Sequence, residues 1–213
     1  MKNNNYNFIA AIYDQLTSLI FFGYLQSAQL EYLSLLPETG RILFIGGGTG
    51  STLKKIVQLR PHLKIDYVDT SSKMISLSKK KLKNQNDNNV NFICGDQSFV
   101  PMIKYDGILS FFYFDLFPKR VAGEIFSHLL GQLKMNGIWL IADFYQAKNW
   151  HQKLMEFLMY NFLKLTTNIK ANKIPPILPL ASIPQLQLRE EKSFYGQFIF
   201  STAYSKSSWN NNC

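Results

Sequence analysis

Four glycines fall within five positions, Gly46, Gly47, Gly48 and Gly50. They follow the apolar run Ile42–Ile45 and precede a helical pattern that opens at Ser51. A strand, a glycine turn and a helix form the first half of a βαβ unit that binds nucleotide-like ligands. Glycine at such a turn permits positive φ and lets backbone lie against a ligand. Two carboxylates recur at the ends of later apolar runs, Asp69 after Lys64–Val68 and Asp96 after Val90–Gly95. A carboxylate can accept two hydrogen bonds, which suits a vicinal diol. Asp115, Asp143 and His151 stand at or after the fourth and fifth apolar runs and could move a proton. Each has a plainer role: Asp115 as a helix cap before Pro118, His151 as a surface or packing residue beside Trp150. His62 and His128 suggest no chemistry.

The elements that position these residues follow from periodicity. Residues from about Tyr6 to Leu36 repeat apolar side chains at helical spacing, with Gly23 dividing two helices. Pro37–Gly40 is a turn into the first strand. Strands are expected at about 42–45, 64–68, 90–94, 105–112 and 138–143, with helices between them. Pro118 suits the first position of the fourth-strand helix, which should end near Lys134, with Met135–Gly137 as its turn. A long aromatic helix is expected over about 149–165, then a proline-broken segment. A closing hairpin should pair about 186–194 with 197–204 through Tyr195–Gly196. Alternation of strand and helix implies a parallel sheet with helices on both faces, and the hairpin adds one reversed strand.

Composition narrows the setting. The chain has 213 residues, enough for one domain with a full core, and 46% are hydrophobic, which excludes a disordered chain. The net charge of +9 favours acidic partners, yet the excess is lysine scattered over helices, as on a solvated surface. The cluster Lys79, Lys80, Lys81 and Lys83 sits at a helix C-terminal end, where the dipole favours cations anyway. Cys94 and Cys213 form no CxxC or histidine cluster, so reduced thiols, a cytoplasmic location and no metal are expected. No signal peptide is apparent. Phe8–Leu25 is broken by Asp14 and Gln15 and reads as an amphipathic cap helix, not a membrane span.

Together these features resemble class I S-adenosylmethionine-dependent methyltransferases. The likeness rests on Gly46-x-Gly48-x-Gly50, Asp69, Gly95–Asp96, Tyr105–Asp106 and Met135–Gly137, in that order and spacing, and runs from about Tyr6 to Tyr204. The competing nicotinamide-binding fingerprint wants a third glycine at 51, where this chain has Ser51. The N-terminal helices with Tyr13–Asp14 are similar to the small-molecule branch that includes quinone-biosynthesis enzymes.

The resemblance implies an α/β, Rossmann-like, doubly wound seven-stranded sheet, mostly parallel, with a reversed C-terminal strand and N-terminal cap helices. It implies a substrate lid over 1–39, a cofactor domain over 40–204 and a tail over 205–213. It implies S-adenosylmethionine held by Gly46, Gly48, Gly50, Asp69, Thr70, Met74, Asp96, Gln97 and Ser110, with S-adenosylhomocysteine as product. Tyr13, Phe111, Tyr113 and Trp150 would line the site of a small, apolar, lipid- or quinone-like methyl acceptor. The family also has an acidic residue two before the first glycine, which holds the cofactor's ammonium; here that position is Phe44, so the ammonium would turn to backbone carbonyls or another carboxylate, with Asp14 as a candidate. The Asn- or Asp-Pro-Pro-aromatic motif of base N-methylating enzymes is absent from Ser110–Asp115, which disfavours nucleic acid as substrate. A nucleic-acid methyltransferase and a cofactor-binding protein with weakened or no methyl transfer stay open as alternatives, as do peripheral membrane contact through the 149–165 helix and a monomer or homodimer.

Overall fold

A computed structural model describes residues 23–83, 88–157 and 183–207. The elements run α1 (Tyr24–Leu30), β1 (Thr39–Ile45), α2 (Ser51–Leu59), β2 (His62–Asp69), α3 (Ser72–Leu82), β3 (Val90–Cys94), β4 (Tyr105–Phe111), α4 (Lys119–Gln132), β5 (Leu133–Phe144), β6 (Leu186–Phe194) and β7 (Ile199–Lys206). The seven strands form one sheet in the order β3-β2-β1-β4-β5-β7-β6. β1 to β5 are parallel, and β7 is antiparallel to both β5 and β6. This is the expected seven-stranded, doubly wound sheet with its reversed strand.

The central strands are near-continuously apolar because both faces are covered. On β1, Ile42 and Phe44 join one core with Leu53, Ile56 and Ile75 of α2 and α3. Leu43 and Ile45 join the other with Ile125, Phe126 and Leu129 of α4. Strand order turns back between β1 and β4, and there the carboxyl ends of open α/β sheets leave a crevice for ligands.

The opposite end of the sheet is stitched by charge. Arg41 donates two 2.8 Å hydrogen bonds to Asp66, which also accepts from Tyr105 and Asn91 at 2.9 Å. Burial alone would raise the Asp66 pKa, but these donors outweigh it and hold the carboxyl below its usual range. Asp106 accepts from the Arg41 amide at 2.9 Å and from Lys134 at 2.8 Å. Tyr105–Asp106 therefore joins β1, β2, β4 and β5 at the end remote from the crevice.

Three expectations shift. Pro118 is the N-cap of α4 and not its first residue. The helix ends at Gln132, and Met135–Gly137 lies inside β5, where Asn136 at φ 60° makes the bend expected of a turn. The closing hairpin turns over Tyr195, Gly196 and Gln197, all at positive φ, so β7 starts two residues later than expected. Gly23 is the left-handed N-cap of α1, and the helix expected before it lies outside the described residues. Of the 149–165 helix, 150–157 is helical and the rest lies outside the described residues, as do Tyr13, Asp14 and most of the expected lid. No described helix is long and apolar enough to cross a membrane.

Candidate functional site

The glycine turn sits at the carboxyl end of β1 with Gly46, Gly48 and Gly50 at φ 66°, 69° and 84°. Two of its glycines are forced by neighbours. A Cβ on Gly47 would lie 2.2 Å from the Tyr67 ring, and one on Gly50 would lie 2.7 Å from the Ser78 backbone. Gly48 is different: a Cβ there would meet nothing within 4 Å, so its face is open. Its amide donates to Asp69 Oδ2 at 2.8 Å, and Ser71 N donates to Asp69 Oδ1 at 2.8 Å. The bend and the carboxylate are thus adjacent. Desolvation pushes the half-buried Asp69 carboxyl up to about 6, against the pull of those two amides.

The turn is clamped from behind. Gly48 O accepts from Tyr67 Oη at 2.8 Å and Ser78 Oγ at 3.0 Å. Lys81 Nζ bonds Thr49 Oγ1 at 2.9 Å and Ser51 Oγ at 2.6 Å. Sequence reading missed Tyr67 and Ser78. Their signal was steric: two glycines with bulky neighbours on β2 and α3 predict close packing of turn against helix.

The second wall follows β3. Asp96 is exposed and accepts from Ser98 N at 2.9 Å and Ser98 Oγ at 2.6 Å. Gly95 makes room for the Phe99 ring, since a Cβ there would be 2.5 Å from it. Phe99 is 62% exposed, an apolar face beside Asp96 that the sequence reading did not single out. Thr70 is exposed and Met74 is buried at the start of α3, with its amide on Ser71 Oγ at 3.2 Å. This group can offer an acceptor and an apolar surface to a purine.

The third wall is the segment after β4. Phe112 sits at φ 50°, strained for a residue with a Cβ, and its amide bonds Ala142 O at 2.7 Å. The kink lays Tyr113 against the turn: a Cβ on Gly46 would be 2.6 Å from its ring. Tyr113 Oη donates to Gln97 Oε1 at 3.2 Å, so one side chain bridges the first and second walls. Phe111 is buried.

Other expected positions fall elsewhere. Ser110 is fully buried and accepts from Trp139 Nε1 at 3.0 Å, because alternation along β4 turns it toward the α4 core. Its side chain therefore does not line the crevice. Asp115 and Asp143 are also buried, at 2% and 0% exposure. Desolvation raises Asp115 to about 7. Burial and the nearby Asp115 charge push Asp143 well above the carboxylate range. Asp143 Oδ1 accepts from Phe144 N at 2.8 Å, and the Phe114 and Asp115 amides also favour its charge. The pair thus underpins the turn that carries Tyr113. His151 is exposed, and Trp150 is 77% exposed, with both on the 150–157 helix. Gln152 anchors that helix: its Oε1 accepts from Lys148 N at 2.9 Å and its Nε2 donates to Gly196 O at 2.9 Å.

Residues 43–139, from β1 through the crevice walls into β5, match the methyltransferase-domain family profile. Over this stretch the chain is similar to the methyltransferase domains of known proteins. Among curated relatives, malonyl-[acyl-carrier protein] O-methyltransferase 2 of Ilyobacter polytropus is 31% identical over 161 residues, 73% of this chain and 58% of that protein. Demethylmenaquinone methyltransferase of Thermotoga maritima is 31% identical over 116 residues, 53% of this chain and 48% of that protein. The chain thus spans about half the length of these relatives. The fold matches a chain of the complex between the Haloferax volcanii Trm112 methyltransferase activator and a methyltransferase, with TM-score 0.71 and 12% identity over 98% of this chain and 100% of that one. It also matches N-methyltransferase NodS of Bradyrhizobium japonicum bound to S-adenosylhomocysteine, with TM-score 0.61 and 14% identity over 86% of each chain.

The residues present fit a cofactor of the S-adenosylmethionine type. The open face of Gly48 beside a carboxylate suits a ribose, and the exposed Asp96–Phe99 group suits an adenine.

Proposed function

We propose that this protein transfers a methyl group from S-adenosylmethionine to a small, apolar, lipid- or quinone-like acceptor. The observation that carries the reading is the 2.8 Å hydrogen bond from Gly48 N to Asp69 at an open turn face. Asp69 accepts from the ribose hydroxyls, and Gly48, whose face is open, gives the backbone close approach. Thr70, Met74, Asp96 and Gln97 receive the adenine, with Phe99 as a platform. The cofactor supplies an electrophilic methyl on a sulfonium. Charge disperses in such a transfer, so this chain contributes alignment and exclusion of water. Phe111 and Tyr113, with Trp150, form the acceptor wall. Asp115 and Asp143 act from beneath, by holding the Tyr113 turn.

The acceptor class draws support from two directions. The wall after β4 is aromatic, and the 150–157 helix exposes Trp150, Leu154 and Phe157 at 77%, 48% and 63%, with Lys148 and Lys153 beside them. An apolar stripe with flanking lysines suits contact with an anionic lipid surface. One curated relative is named a demethylmenaquinone methyltransferase.

Titration calorimetry with S-adenosylmethionine and with NAD tests the cofactor. Saturable binding of S-adenosylmethionine alone is expected, and preference for NAD would reject the reading. Transfer of labelled methyl to a quinol-like compound tests the acceptor class.

A further inference from the structure

The glycine turn presents two unlike ends. At Gly48 the face is open and touches Asp69. At Gly46 the Tyr113 ring lies against the backbone, and Tyr113 itself is only 6% exposed. Tyr113 is held from several sides: by Gln97 through its hydroxyl, by the Phe114 and Phe117 rings at 5.6 and 5.1 Å, and by the kink at Phe112. Below the turn, Phe44 is 2% exposed and packs edge-on against Tyr67 at 5.3 Å and Phe111 at 5.5 Å. The room beside the turn is therefore on the nucleoside side, and the other side is aromatic.

An amino-acid group carries an ammonium, whose hydrogen bonds are strongest against an anion. The described carboxylates at this end of the sheet lie on the nucleoside side of the turn or are sealed. Asp69 serves Gly48 and Ser71 at the far side of the turn. Asp96 serves Ser98. Asp115 and Asp143 are buried. Aromatic faces attract a cation, but less strongly than a carboxylate.

We propose that the site grips an adenosyl thioether by its nucleoside end and gains little from the amino-acid end. Its ligand class then extends to 5′-thio-adenosines without an amino acid, of which 5′-methylthioadenosine is the simplest. This rests on the reading of the crevice as an S-adenosylmethionine site. Tyr113 is the specificity determinant, since it covers the place an amino-acid chain would take.

Calorimetry of the full chain with S-adenosylhomocysteine and 5′-methylthioadenosine tests this. The two dissociation constants should agree within about tenfold. S-adenosylhomocysteine binding with a larger preference over 5′-methylthioadenosine would overturn the proposal while leaving the cofactor reading intact. Binding of neither would overturn both. Tyr113→Ala should shift the ratio toward S-adenosylhomocysteine, whereas Asp69→Ala should weaken both ligands by a similar factor. An unchanged ratio in folded Tyr113→Ala would remove Tyr113 from the role.

Discussion

At the scale of single residues, Asp69 carries the account, and its environment sets a pH dependence. The carboxylate must be charged to accept from both ribose hydroxyls. With its pKa raised to about 6, cofactor affinity should fall as pH drops from 7 to 5. Asp69→Asn should flatten that dependence and lower affinity at pH 7.5 by at least about tenfold, as loss of a charge-assisted pair does. Calorimetry across pH checks both. The stability of the free protein should run the other way. Asp69, Asp115 and Asp143 all have folded pKa values above the unfolded carboxylate value, so the folded chain binds more protons. Their stabilisation is fully present below the unfolded pKa and is lost as pH rises through about 6 to 7 and beyond. Melting temperature without ligand should therefore be higher at pH 5.5 than at pH 8. Asp143→Asn should reduce the slope.

At the scale of elements, the glycine turn and the β1–β2–β4 stitch make separable demands. Gly47→Ala drives a methyl into the Tyr67 ring and should cost the fold several degrees of melting temperature. Gly48→Ala meets no atom and bears only the strain of positive φ, about 1–2 kcal/mol. It should fold and yet lose cofactor affinity, because its methyl points into the open face. Thermal melts and calorimetry on the two variants separate packing from binding. At the other end, Asp66→Ala leaves the buried Tyr105 hydroxyl and the part-exposed Arg41 without their acceptor and should destabilise by about 1–3 kcal/mol in urea unfolding. The element pattern was legible in the sequence because five apolar runs alternate with helical periods, and because GxGxG and Asp69 fall where one strand ends and the next follows. Side-chain direction at strand ends was less legible. Ser110 points to Trp139, and Asp115 and Asp143 pass under the crevice floor, because alternation and the Phe112 kink decide facing one residue at a time. Phe99 escaped notice because its exposure depends on Gly95 giving it room. Asp106 read as part of a functional signature, and its partners Arg41 and Lys134 make it structural.

At the scale of the whole molecule, charge and apolar surface coincide at one place. The chain carries a net +9, and the 150–157 helix adds an exposed Trp–Leu–Phe stripe to nearby lysines. Sedimentation with anionic liposomes should recover the protein, and Trp150→Ser with Phe157→Ser should release it. Retention of both forms in the supernatant would remove the lipid surface from the account. The sheet order, with its turn-back between β1 and β4, places the crevice, the Tyr113 wall and the carboxyl end of β5 at the same end of the domain.

All of this depends on one placement, an adenosyl group between the open face of Gly48 and the Asp69 carboxylate. A crystal structure of the protein grown with S-adenosylhomocysteine measures that placement directly. The account expects the ribose hydroxyls on Asp69 and the sulfur beside the 46–48 backbone. Ligand density elsewhere, or a turn closed by side chains with the ligand excluded at saturating concentration, would contradict it.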